Sequence, residues 1–208
     1  MTDRLVERTL RAFSDELASS TAVPGGGSAA AYAGALGAAL TAMVGRIAER
    51  KEQSEAMTVL ITDADNLRAD FLRLVDDDSA AFARVSEAMK MPKATDDDKA
   101  ARKERMQAAL LAASRVPLEV AKTSRRLLDL CEKAAPTAPN ATVSDIGVGA
   151  LMGEAALSGA ALNVMINLAS ITDSAQVKAL SEDLDRAVDG AAAQRKRIID
   201  FVESRIAR

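Results

Sequence analysis

Histidine and tryptophan are absent from the 208 residues, and cysteine occurs once, at Cys131. Without histidine there is no Ser-His-Asp triad, no Cys-His dyad, no imidazole base and no imidazole-ligated metal. A lone cysteine forms neither an intrachain disulfide nor a thiolate-rich metal site, which fits a reducing compartment. Cys131 stands in an apolar helical run with Leu127, Leu128 and Leu130, and is expected to pack rather than react. Aromatic residues make up 2% of the chain, four Phe and one Tyr, and 27 Lys plus Arg against 30 Asp plus Glu leave a net charge of −3. Base-stacking platforms and a basic excess are both missing, so nucleic acid is not an expected partner. Any catalysis must run on Asp, Glu, Lys, Ser, Thr or backbone groups.

Long apolar runs are few. The N-terminus, Met1-Thr2-Asp3-Arg4, is charged from its third residue and has no signal-peptide core. The best membrane-span candidate is 146–169, yet it carries Glu154, Asn163, Asn167 and four glycines, and is expected to be a core helix. A cytoplasmic protein with no membrane partner is the expectation.

What is present reads as helix throughout. Alanine is about a fifth of the chain, Leu, Glu, Lys and Arg are common, and no period-2 run of β-branched residues occurs. Six helices are expected in one all-α, up-and-down bundle, with residues 1–208 forming a single domain. The first covers about Thr2 to Ala18. After the turn Pro24-Gly25-Gly26-Gly27, Ser28 suits the N-cap of a second, which ends near Lys51. The third covers about Gln53 to Met89 and stops before Pro92. Thr95 opens a fourth that reaches Ala134 and is expected to kink at Pro117. Ser144 suits the cap of the apolar fifth, and a charged sixth is expected from Asp173 to Arg208.

Three positional signals stand out. Ten of eleven glycines fall in two clusters, at 25–45 and 147–159. Each intrahelical glycine costs about 1 kcal/mol against alanine, so close helix packing is the plain explanation, with Ala30, Gly34 and Ala38 forming a flat stripe. Gly25, Gly26 and Gly27 differ, because free amides and the positive helix end converge there and suit an electron-rich ligand group. No Lys-Ser/Thr pair follows, so this is not a Walker loop.

The second signal lies in the third helix. Its apolar stripe passes through Leu67, Phe71, Leu74 and Val75 and resumes at Ala81, so Asp78 occupies a place the period reserves for an apolar side chain. Asp76 and Asp77 fall off the stripe and are expected in solvent. A carboxylate facing a core is costly unless it is paired or used. A structural ion pair, a stripe that frays into solvent, and a functional acid or base all account for Asp78. The third signal is polar residues in the fifth helix. Asp145 sits in the first turn, where the dipole favours it, and Asn163 and Asn167 share one face as interhelical partners or ligand contacts.

Pro24-Gly25-Gly26-Gly27-Ser28, followed by Ala30, Gly34, Ala35, Leu36, Gly37, Ala38 and Met43-Val44, closely resembles the opening of the formiminotransferase-cyclodeaminase C-terminal family. Further matches run through Asp78-Ser79-Ala80-Ala81-Phe82, Met91-Pro92-Lys93, Val116-Pro117-Leu118, Ser144-Asp145 and Asn163-Val164-Met165-Ile166-Asn167-Leu168. In one respect the chain departs from it: the family usually has Asn about two residues before its Ser/Thr-Asp pair, where Thr142 stands nearer and Asn140 farther off. The resemblance implies an all-helical homodimer, folate one-carbon chemistry without a metal or redox cofactor, and Asp78 as the catalytic carboxylate. The implied reaction is hydrolysis of 5,10-methenyltetrahydrofolate to 10-formyltetrahydrofolate. Closure of formiminotetrahydrofolate with loss of ammonia is the alternative, and a non-catalytic scaffold the second. On that reading Gly25, Gly26, Gly27, Ser28, Lys93, Asp145 and Asn163 bind substrate, with Arg46 a further candidate for its anionic end.

Overall fold

The computed structural model describes residues 4–207, and among these no strand occurs. Seven α-helices follow one another: α1 (Leu10–Leu17), α2 (Gly26–Glu49), α3 (Glu55–Lys90), α4 (Asp96–Ala134), α5 (Val143–Leu168), α6 (Ser174–Val188) and α7 (Ala191–Ile206). Helices α2 to α5 make an up-down-up-down bundle, in which α2 packs on α3 and α5, and α4 packs on the same two. α6 lies mainly on α4 and α7 mainly on α5. The core between them is aliphatic around one ring, with Phe71, Leu74, Leu127, Leu128, Ile146 and Val164 fully buried.

Local chemistry accounts for most helix starts. Ser54 accepts the Met57 amide and opens α3, while Thr95 and Asp98 form a reciprocal capping box at α4. Two expected caps are corrected. α2 begins one turn earlier, with Gly25 as its N-cap, and Ser28 is buried inside the helix. Ser144 lies inside α5, whose preceding residue Thr142 makes no side-chain cap.

The ends of the chain also differ from expectation. The expected start of the first helix near Thr2 lies outside the described residues; among these the helix starts only at Leu10, because Asp76 draws the segment before it onto α3. Its carboxylate accepts the Leu5 amide at 2.8 Å and the Arg4 guanidinium at 2.9 Å. Asp76 is thus a tether rather than a solvated residue. The last expected helix splits into α6 and α7 at Gly190, whose φ of 67° is left-handed and interrupts helical geometry.

Glycine packing works as the first cluster suggests. A Cβ on Gly34 would meet the Phe71 ring at 2.4 Å, and one on Gly37 would meet the Gly149 carbonyl at 2.8 Å. Bulk from α3 and backbone from α5 fill the space that side chains on α2 would take. α2 and the segment 140–168 are both long and apolar enough to cross a membrane. In the bundle they pack on each other, which leaves one side of each outside it. Pro117 lies buried inside α4 and supplies no amide for the carbonyl four residues back. That carbonyl, of Ala113, instead accepts the Asn167 side-chain amide at 3.0 Å, so α5 satisfies what α4 leaves open.

Candidate active site

The N-terminus of α2, the C-terminal half of α3, the middle of α4 and the C-terminal end of α5 enclose a cleft of about 390 Å³. Ala81, Phe82, Val85 and Met89 from α3 wall it, with Leu110 and Ala113 from α4 and Ile166 from α5. Phe82, Met89 and Ile166 are large apolar side chains left exposed, the usual mark of a surface that a ligand covers. Phe82 and Met89 continue the apolar stripe of α3, so the helical period alone does not separate them from the core positions beside them.

Asp78 is the one charged side chain among the described residues lining the cleft. The displaced carboxylate of the α3 stripe therefore faces the cleft, at the foot of α2. Burial pushes its pKa up from the ordinary carboxylate value, and hydrogen bonding from Ser28 partly offsets the rise. Ser28 Oγ lies 2.9 Å from Asp78 Oδ2, 3.1 Å from the Val75 carbonyl and 3.3 Å from Ser79 Oγ. The Ser79 contact can run in either direction, and with Ser79 donating, the Ser28 hydroxyl proton has two acceptors, Asp78 and Val75. When Asp78 is ionised the proton serves the carboxylate; when Asp78 is protonated, the acid can donate to Ser28 Oγ and the hydroxyl turns to Val75.

The glycine turn has a second task that spacing did not reveal. A Cβ on Gly27 would lie 2.1 Å from Asp78 Oδ1, so the absence of a side chain is what admits the carboxylate beside α2. Gly25 and Gly26 line the cleft, as does Asn163. The Asn163 amide nitrogen donates to the Gly159 carbonyl of its own helix at 2.8 Å, leaving its oxygen free to accept from a ligand. Asn167 also lines the cleft, but its amide is committed to Ala113.

Three expected site residues are not brought to this cleft within one chain. Lys93 is exposed beyond the end of α3 and outside the lining. Asp145 sits eighteen residues before Asn163 on the same helix, roughly 27 Å away at 1.5 Å per residue. Arg46 lies twenty residues beyond Gly26, roughly 30 Å along α2, where it pairs with Asp65. Asn140 lies at the α5 start as well, accepting from Arg205 of α7. Cys131 is fully buried, 3.3 Å from the Thr41 hydroxyl, and burial pushes its thiol up to about 12, so it packs and does not react. Among the described residues, no group of three or more His, Cys, Asp or Glu side chains is placed to hold a metal.

The formiminotransferase-cyclodeaminase family model matches residues 9–186. The chain belongs to the formiminotransferase-cyclodeaminase family. A methenyltetrahydrofolate cyclohydrolase of Methylorubrum extorquens is 37% identical over 202 residues, which cover 95% of this chain and 97% of that protein. The formimidoyltransferase-cyclodeaminase of Gallus gallus is also 37% identical, over 205 residues, but the match spans only 38% of its length. Among solved structures, a formiminotetrahydrofolate cyclodeaminase from Thermotoga maritima superposes with a TM-score of 0.84 at 26% identity, over 95% of this chain and 97% of that one. The cyclodeaminase fold and this chain's bundle are thus alike along nearly their whole lengths.

Proposed function

We propose that this formiminotransferase-cyclodeaminase family member is a methenyltetrahydrofolate cyclohydrolase, a cytoplasmic homodimer that hydrolyses 5,10-methenyltetrahydrofolate to 10-formyltetrahydrofolate without a metal or redox cofactor. The observation that carries the reading is the Methylorubrum extorquens relative, named for that activity and matched along almost all of both chains. The cleft supports it chemically. The substrate's one-carbon bridge is an amidinium cation, and the only charge lining the cleft among the described residues is the Asp78 carboxylate.

The reaction needs water to add to that carbon and the bond from the carbon to N5 to break. Asp78 draws the cation into an apolar cleft, where the attraction between them is stronger than in water. It then takes a proton from the attacking water as the C–O bond forms, and returns that proton to N5 as the C–N5 bond breaks. The remaining hydroxyl proton leaves to solvent as the formyl C=O forms, so each turnover releases one proton. A carboxylate with a raised pKa suits both halves of this cycle, because it accepts and gives back a proton nearer neutrality. The two-acceptor position of the Ser28 hydroxyl supports either charge state of Asp78.

The Gallus gallus and Thermotoga maritima relatives keep a second reading open, ammonia loss from formiminotetrahydrofolate. The same amidine carbon is involved, but N10 attacks and ammonia leaves. One preparation assayed on both substrates decides between them: the methenyl chromophore should disappear from methenyltetrahydrofolate faster than it does spontaneously. Its net appearance from formiminotetrahydrofolate, with no hydrolysis of the methenyl form, rejects the cyclohydrolase reading. Asp78→Asn should lower kcat at least a hundredfold in a folded protein; full activity in that variant removes the carboxylate from the mechanism.

A further inference from the structure

α2 and α5 run antiparallel, with Gly26 beside Asn163, Ala30 beside Gly159 and Gly37 beside Gly149. Their outer sides form one face at the helical period. Leu36 and Met43 stand on α2, and Val148, Leu151, Leu162 and Ile166 on α5, all of them exposed. Helices of 24 and 26 residues, roughly 36 Å long and 9 Å apart, present roughly 700 Å² of such surface, and two copies would bury about twice that, the size of a stable interface. The face is continuous with the cleft, because Ile166 belongs to both.

The two ends of this face are chemically opposite. At one end the cleft holds Asp78 and no cation among its described lining residues. At the other, Arg46, Arg50 and Arg68 border an open groove of about 560 Å³ between α2 and α3, with Asp65 as its acid. Arg46 and Arg68 both pair with Asp65, and the Arg50 guanidinium has no partner among the described residues. A cleft of about 390 Å³ suits a fused ring system, so a tail with two or more carboxylates must pass over the rim, where the one cation in contact with a lining residue among the described residues, Arg102, already donates to the Met89 carbonyl at 3.2 Å.

We propose that a second copy docks antiparallel on the α2/α5 face, and that its arginine end completes the active site by binding the carboxylates of the substrate's tail. This rests on the folate reading above. A two-fold axis crossing α2 and α5 at right angles near Leu36 is the arrangement that does this. Gly25 lies eleven residues before Leu36, and Arg46 and Arg50 lie ten and fourteen after it. Reversal about Leu36 therefore brings the partner's Arg46 level with Gly25 and the partner's Arg50 within about one helical turn of it. An axis parallel to the helices would instead leave every arginine cluster at the end away from every cleft.

The test is complementation between subunits. Differently tagged Asp78→Asn chains and Arg46→Ala/Arg50→Ala chains are co-expressed and the mixed dimer is purified. The arginine double variant alone should show a KM raised about tenfold at little-changed kcat, as loss of charge-assisted contacts to a distal anion predicts. In a composite site the mixed dimer has one intact site of two, and at low substrate it recovers about half the wild-type rate. An unchanged KM in the arginine double variant overturns the proposal, because one intact Asp78 would then give half the rate in any arrangement; with KM raised, sites within one subunit leave the mixed dimer about a twentieth, from a dead site and a weakened one, and this too overturns it. A monomer by light scattering overturns it too, as does sedimentation of that monomer with phospholipid vesicles, which would give the face to lipid. Failure of the folate reading shows separately, as wild-type protein without turnover before any chains are mixed.

Discussion

Asp78 is held in a buried place that costs stability, and that cost has a measurable sign. Its folded pKa is raised by burial, so the group adds stability below its unfolded pKa and loses it as pH rises through the folded value. At neutral pH the ionised carboxylate is thus a net cost to the fold. Asp78→Asn should therefore raise Tm at pH 7, and the gain should shrink as the pH is taken below the carboxylate range, while activity is lost. A variant less stable than wild type at pH 7 would mean that Ser28 repays more than the burial penalty. Ser28→Ala tests the same pair from the other side. It deletes the hydroxyl that donates to Asp78 Oδ2 at 2.9 Å, so the carboxylate's pKa should rise further. The acid limb of the rate profile should then move to higher pH, with kcat falling about tenfold. A lower kcat with an unmoved limb would make Ser28 a packing residue only.

The helices show why a local rule succeeds at one place and fails at another. α3 and α4 begin where Ser54 and Thr95 suit a cap, because capping uses only atoms within one turn. Ser28 has the same local credentials, yet its hydroxyl is taken by Val75 and Asp78 from α3. No pattern within α2 reveals that long-range claim. Asp78 was legible because it breaks the period of its own helix, whereas the part Gly27 plays depends on how closely α3 approaches. Gly190 was missed although Asp189-Gly190 is a turn pair, because the charged pattern on either side of it continues at a helical spacing. The α4 to α5 contact permits a quantitative check. Asn167→Ala should cost about 1–3 kcal/mol by orphaning the Ala113 carbonyl. In a Pro117→Ala background the restored amide can reach that carbonyl within α4, so the same substitution should cost less. Equal costs in both backgrounds, read from urea midpoints, would show that Asn167 does not stand in for the missing amide.

Across the whole molecule, α2 and α5 have two sides with opposite demands. Inward, glycine and alanine let the backbones meet, with the Gly37 and Gly149 carbonyls each close to where the other's Cβ would be. Outward, leucine, methionine and isoleucine stand where a helix bordering solvent would carry charge. Membrane-length hydropathy in both helices is the joint result: only 39% of the apolar window in 140–168 is buried within one chain, against 61% in α2. The surplus lies on a single face, and a self-complementary face is the economical way to hide it. Leu36 is at its middle, 38% exposed in one subunit, and next to the two-fold axis it would meet its own symmetry copy. Leu36→Glu should therefore place two carboxylates side by side in an apolar contact while leaving the core of each subunit untouched. The expected outcome by light scattering is a shift from twice 21.8 kDa to a single chain of that mass, with helical circular dichroism retained. The monomer should keep its affinity for the pterin ring and lose it for the tail. Wild-type mass in the variant would show that Leu36 faces solvent and that the face closes elsewhere.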